Sequence, residues 1–409
     1  MASLIASAVS TLLIKFGTGL AGKAGGWVFQ EGLAAVTGGI TDTARIREDI
    51  ANVLKEVKQI QTSVTELSSQ LSDSLLQLRK DSLRTYITDI ETYYATIGDI
   101  MQEAFELPEK KLTDADRVRQ AKGLQKRLNN RLRACSNDVP GYLDKINDFL
   151  NERGSNAFFQ QAAQQALDQS DDFLEYYSKT KVMALNYWVA YIKGISLLQM
   201  AHDTPQVNFE EGSFTIDRHK ANVLAQEKNF RSTVGEVTIA LAEEVISDPN
   251  ATRDLTWRTA GGTYIEAYKS PYANYVLSGI PGPRESAWIV KHIPSVTRED
   301  FDPTQGYPVL IEPSDRVDNP LCAGGSQYGL DTRWTTATLG EYQCRWFIKP
   351  RSPGEARFSF RFLSSSAANN GSYIVDNPAS DLRTLNYVDS LHKEDGNQFF
   401  SVTLGEPKV

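Results

Sequence analysis

The chain has 409 residues, 41% apolar and 23% charged, with a formal net charge of −8 at pH 7. That composition belongs to a globular protein of two or three domains and excludes a disordered chain or a many-spanning membrane protein. The acidic balance disfavours a nucleic-acid partner. Three cysteines (Cys135, Cys322 and Cys344) exclude a disulfide framework, and only Cys322 and Cys344 are placed to pair. The four histidines, His202, His219, His292 and His392, lack zinc-ligand spacing, so no metal or other cofactor is expected.

Residues 2–14 read ASLIASAVSTLLI, with no charge before Lys15, and up to Ile40 only Lys23 and Glu31 follow. Basic residues come after this apolar run rather than before it, the reverse of a secretory signal. Five glycines, from Gly17 to Gly26, make it a poor autonomous helix. Gly17, Ala21 and Gly25, and likewise Gly22 and Gly26, recur at every fourth residue. This small-xxx-small spacing lets helices approach closely in lipid. Residues 1–40 therefore read as an apolar, glycine-rich segment, either buried as a hairpin in a helical bundle or inserted into a bilayer. The candidate insertion residues are Leu4, Ile5, Val9, Leu12, Leu13, Ile14, Phe16, Gly22, Gly26 and Trp27.

Residues 41–248 carry helical periodicity. Thr41-Asp42 can cap a helix whose apolar positions run Ile46, Ile50, Val53, Val57, Ile60, Val64, Leu67 and Leu71, a heptad seam. The pattern resumes from Leu83 to Met101, so one helix or two collinear helices are expected over 43–105. Thr113 and Asp114 cap a basic helix through Leu124, Leu128 and Leu132; Pro140 is expected to interrupt it before an amphipathic piece from Tyr142 to Arg153. Ser155 to about His202 reads as one long helix and Asp217 to Ser247 as another. Residues 182–201 carry a single charge, Lys193, and fit either a buried central helix or a second membrane-contacting segment.

All but Pro108, Pro140 and Pro205 of the 16 prolines lie from Pro249 onward, which marks the change to a β half over residues 255–409. Three segments there end alike: Trp288-Ile289-Val290, Trp346-Phe347-Ile348 and Phe400-Ser401-Val402. Each follows an alternating strand, begun by Tyr264, Tyr307 and Phe358 respectively.

Three such repeats resemble a β-trefoil of the ricin-B lectin type, whose repeats carry a Gln-x-Trp/Phe signature. Gln398-Phe399-Phe400 fits it, while Ser286 and Cys344 stand where the other two glutamines would be. The resemblance implies a sugar stacked on an aromatic ring and fixed by polar side chains, a set offered by Asp376, Asn377, Asn397 and Gln398. The first half resembles the α-helical pore-forming toxins of the cytolysin A, Cry6 and haemolysin BL kind. The expected fold class is thus α plus all-β in two domains: an elongated bundle of long α-helices followed by a C-terminal β-trefoil.

No GxSxG, HExxH, Walker A or GxGxxG element occurs in a fitting context, so no catalytic residues are expected. The expected function is that of a pore-forming toxin whose β half binds a cell-surface glycan or glycoprotein receptor. Its helical half would oligomerise with copies of itself and insert the N-terminal segment into the target-cell membrane. Such a protein would be made in the cytoplasm without a signal peptide, released, and active at that membrane. A non-lytic lectin with a helical oligomerisation stalk, and a membrane-associated cell-death or scaffold protein, are the alternatives.

Overall fold

The computed structural model describes residues 80–107, 110–204, 206–247, 253–262, 264–269, 274–279, 287–292, 308–314, 321–323, 330–332, 345–362, 372–375, 386–388, 391–392 and 394–407. These form six α-helices: α1 (Lys80–Glu106), α2 (Asp114–Leu150), α3 (Phe158–Asp168), α4 (Phe173–His202), α5 (Gly212–Val234) and α6 (Glu236–Ser247). Two compact units result. One holds the described residues up to Phe159 together with Lys181–Phe230; the other joins Gln160–Thr180 to the chain from Arg231 onward.

In the first unit α1 packs on α2. The α2 helix starts at Thr113, whose Oγ1 accepts from the backbone N–H of Asp116 at 3.2 Å. Its buried residues are Ala121, Leu124, Leu128, Leu132, Cys135, Val139, Leu143, Ile146 and Leu150. Steps of three and four keep them on one stripe for the whole helix. The expected break at Pro140 does not occur, and α2 runs through it for 37 residues. Proline costs an interior helix about 3 kcal/mol, and the seam buried on both sides of it, Val139 and Leu143, outweighs that cost. On α4, Gly194 lets the two helices meet: a Cβ there would sit 2.6 Å from Leu143 Cδ2.

In the second unit two further expected helices prove to be broken. The span from Ser155 to His202 divides before α4, because Asp172 Oδ1 accepts from the N–H groups of Leu174 (2.8 Å) and Glu175 (2.9 Å) and starts a new helix. The span from Asp217 to Ser247 divides at Gly235, whose φ of 106° is open to glycine and not to a side chain.

Twelve strands follow among the described residues: β1 (Arg253–Arg258), β2 (Tyr264–Lys269), β3 (Asn274–Gly279), β4 (Trp288–His292), β5 (Val309–Pro313), β6 (Leu321–Ala323), β7 (Leu330–Thr332), β8 (Trp346–Pro350), β9 (Arg357–Phe362), β10 (Ser372–Val375), β11 (Asn386–Val388) and β12 (Phe400–Pro407). Strands β1, β4, β5, β8, β9 and β12 pair antiparallel in that order, and β12 returns to β1. Closure removes free edges from those six strands. The other six form the pairs β2–β3, β6–β7 and β10–β11.

The fold class expected from the sequence, an elongated long-helix bundle followed by a β-trefoil, is corrected accordingly. The described residues form six helices, the longest of 37 residues, and a closed six-stranded antiparallel β-barrel with three outlying strand pairs. On the helical side the breaks at Asp172 and Gly235 undo the long helices. On the β side the strand repeat was misaligned: β2 was matched with β5 and β9, but β2 lies outside the barrel and β1 takes that place.

The expected aromatics do recur: Trp288, Trp346 and Phe400 each open a barrel strand, at β4, β8 and β12, and each is buried. Trp288 Nε1 donates to the Ile265 carbonyl (3.0 Å) and Trp346 Nε1 to the Leu321 carbonyl (2.7 Å), so each indole ties a barrel strand to an outlying strand. Trp257 stacks on Trp288 and Phe360, with centroids 5.0 and 4.3 Å apart. The α6 helix packs against β4 and β12. At the β8–β9 turn, Gly354 donates its N–H to the Val234 carbonyl (3.3 Å). A Cβ on Gly354 would stand 3.1 Å from the Ser232 carbonyl oxygen.

Candidate functional site

The candidate insertion residues Leu4, Ile5, Val9, Leu12, Leu13, Ile14, Phe16, Gly22, Gly26 and Trp27, and the heptad seam over 43–79, lie outside the described residues. The second apolar stretch, 182–201, forms most of α4, and the Lys193, Asn186 and Ser196 side chains in it are engaged. Lys193, 3% exposed, pairs with Glu91 of α1 at 2.5 Å and lies 5.3 Å from the Tyr94 ring centroid. Burial and the adjacent Glu91 carboxylate push the Tyr94 phenol up to about 12. Asn186 Nδ2 donates to the Val182 carbonyl and Ser196 Oγ to the Ile192 carbonyl. Tyr187 and Trp188 join Phe149, Phe158, Phe159 and Phe230 in one aromatic cluster. Among the described residues no helix is long and apolar enough to cross a membrane.

A polar network that sequence reasoning missed centres on His219 of α5, which is fully buried. Arg218 donates to Nε2 at 3.3 Å, which leaves the ring proton on Nδ1 to be donated to the Tyr191 hydroxyl at 2.8 Å. That hydroxyl also accepts from Asn222 Nδ2 at 3.3 Å, and Arg218 pairs with Asp144 at 3.2 Å. Burial, then the Arg218 charge, lowers the His219 pKa to about 4. Its sequence signal was His219 and Asn222 one turn apart, opposite a tyrosine in an apolar helix. His219 and Tyr191 are buried while Arg218 and Asp144 reach solvent, and the network ties α5 to α4 and α2.

Of the candidate sugar-binding residues, Asp376 and Asn377 lie outside the described residues, while Asn397 and Gln398 sit in a short 3₁₀ turn before β12. Gln398 is 2% exposed. Its Oε1 accepts from the His392 N–H at 2.8 Å and its Nε2 donates to Asp395 Oδ2 at 3.3 Å. Asp395 Oδ1 in turn accepts from the Asn397 N–H at 3.0 Å. The Asn397 side chain is half-buried.

Cys135 is a buried free thiol, pushed up to about 12 chiefly by burial and then by Asp138. The Cys322 and Cys344 side chains lie outside what is described. Among the described residues no group of three or more His, Cys, Asp or Glu side chains is placed to hold a metal ion.

No protein family matches the sequence, and no curated protein does. The resemblance to solved structures is weak. The BEL β-trefoil, in its third apo crystal form, shares 10% identity at a TM-score of 0.27, over 38% of this chain and 94% of that one. The Saccharomyces cerevisiae protein O-mannosyltransferase Pmt1–Pmt2 complex bound to the sugar donor shares 12% identity at a TM-score of 0.26, over 79% of this chain and 52% of that one. Neither TM-score carries an argument about this protein.

Proposed function

We propose that this protein is a pore-forming toxin that assembles with copies of itself in a target-cell membrane. Its inserting element is the apolar N-terminal segment, and its C-terminal part recognises a cell-surface glycan or glycoprotein. The observation that carries the reading is the uncharged run over residues 2–14, followed by small residues at every fourth position from Gly17 to Gly26. The helical unit supports it by elimination. Its other apolar stretch, in α4, is held inward by the Lys193–Glu91 pair and by the aromatic cluster, so the N-terminal segment is the better inserting element. Recognition falls to Asp376, Asn377 and Asn397, since the Gln398 amide is committed inside its own turn.

Release of a self-quenching dye from liposomes tests the reading. Deleting residues 2–26 is expected to abolish release, and Gly22→Leu to reduce release more than adsorption. Leu13→Asp is expected to lower insertion on the order of a hundredfold, the effect of about 2.5–3.5 kcal/mol at the bilayer centre. Wild-type release by the truncated protein would overturn the assignment of the inserting segment. No release by the intact protein from any vesicle would overturn the toxin reading itself.

A further inference from the structure

Charge is distributed very unevenly along this acidic chain. Residues 110–133 hold nine lysines and arginines against two aspartates, a net of +7, which leaves −15 for all the rest. The remainder of α2, from Ala134 to Leu150, is net acidic, with Asp138, Asp144 and Asp148 against Lys145. Helix stability does not call for this arrangement, because cations toward a helix N-terminus oppose its dipole.

Three of the nine cations are engaged within the unit. Arg117 donates to the Leu112 carbonyl, Arg127 pairs bidentately with Glu103, and Arg133 donates to the Gln206 carbonyl. Arg119 contacts only Asp116 on its own helix and is 80% exposed. Lys122, Lys126 and Arg131 are exposed and have no ion-pair partner among the described residues. At about 100° per residue, Arg119, Lys122 and Lys126 fall on one stripe about 10 Å long. That stripe lies about 150° around the helix from the buried row Ala121, Leu124, Leu128 and Leu132. The helix therefore turns these three cations away from its buried face.

We propose that this stripe is a docking face for the anionic headgroups of a phospholipid bilayer, built from Arg119, Lys122 and Lys126. It rests on the membrane-active reading above and adds the lipid charge that the protein selects. A bilayer is favoured over a nucleic acid on two counts. A single row of cations on a convex helix offers a plane of contact and no groove to follow a strand. Residues 110–133 also contain no aromatic ring on which a base could stack. The net +7 of residues 110–133 favours the approach of this segment to a negative surface.

The test is co-sedimentation of the full chain with vesicles of phosphatidylcholine alone, or with about 30% phosphatidylserine added. Wild type is expected to favour the anionic vesicles, with binding that falls as salt is raised. Lys122→Gln/Lys126→Gln is expected to lose about 25-fold in binding to anionic vesicles, roughly fivefold per charge removed. Lys122→Arg/Lys126→Arg should retain it, and both variants should keep the wild-type circular dichroism spectrum. Equal binding to both vesicle types, or an unaltered Gln variant, overturns the proposal, as does capture by heparin without binding to vesicles. Selective adsorption without dye release leaves the proposal standing and removes the toxin reading. Dye release that ignores both lipid charge and the Gln substitutions does the opposite.

Discussion

Lys193 and Glu91 meet at 2.5 Å between α4 and α1, with only the glutamate reaching water: its side chain is 35% exposed against 4% for the lysine. The pair is therefore unequal. Glu91→Gln removes the carboxylate that faces a buried ammonium and is expected to cost on the order of 3 kcal/mol. Lys193→Met replaces the cation by a chain that fits the same apolar channel and leaves a carboxylate that can stay hydrated, so it should cost less. Urea unfolding of the two variants checks the order, and a Lys193→Met that is the less stable of the two contradicts it.

His219 supplies a pH dependence. Its folded pKa is lowered to about 4 from an ordinary 6.5. Between those values the unfolded chain takes up a proton that the folded chain refuses, so stability falls as pH drops from 6.5 toward 4 and the loss is complete below that. The whole window amounts to about 3 kcal/mol. Arg218, Tyr191, Asn222 and, through Arg218, Asp144 surround the ring. The difference between wild type and His219→Gln in unfolding free energy, followed from pH 7 to pH 4, should shrink by that amount. A constant difference would show that the ring titrates normally.

Gly194 and Gly354 fail differently when given a methyl group. Gly194→Ala drives a Cβ against the Leu143 side chain, and overpacking of that kind costs about 1–3 kcal/mol. Leu143→Val should recover part of the loss by opening space. Gly354→Ala meets a backbone carbonyl and a φ of 77°, so no neighbouring side-chain change should rescue it. Double-variant melting temperatures separate the two cases.

Gln398→Ala removes the acceptor for the His392 N–H and the donor to Asp395. A loss of about 1–3 kcal/mol is expected from leaving such groups unpaired. Asn397→Ala should leave stability nearly unchanged while weakening retention on a glycan array. If Gln398→Ala lowers retention with no change in the unfolding midpoint, its role is in recognition after all.

What the sequence disclosed follows from how far each signal reaches. The Thr113 cap and the row Leu124, Leu128 and Leu132 are local, and both are present. The buried aromatics of β4, β8 and β12 were legible because a strand shows its inward face every second residue. Pro140 misled because a local penalty was judged without the packing around it. Asp172 did so because a buried capping aspartate looks like any surface charge in a row of letters. The repeat read from the sequence omits β1, although its residues alternate as a strand should. At the candidate site, Gln398 carried a recognisable motif, yet its direction depended on His392 and Asp395, contacts that spacing does not reveal.

The membership of residues 160–180 in the second unit has a consequence for biosynthesis. Ala163, Leu167, Phe173 and Tyr176 are buried in the finished protein, and Lys349 on β8 donates to the carbonyl of Ser170, which lies 179 residues earlier in the chain. The ribosome releases this stretch long before the barrel exists. At about 5–20 residues per second, the wait for β8 and β9 is roughly 10–35 s. Throughout that interval the first unit can close around Lys181–Phe230, while the segment just before it remains without its barrel partners. That interval is when nascent-chain chaperones would find an apolar helix to hold, and slowed translation after Phe230 should lengthen their occupancy on ribosome-bound chains.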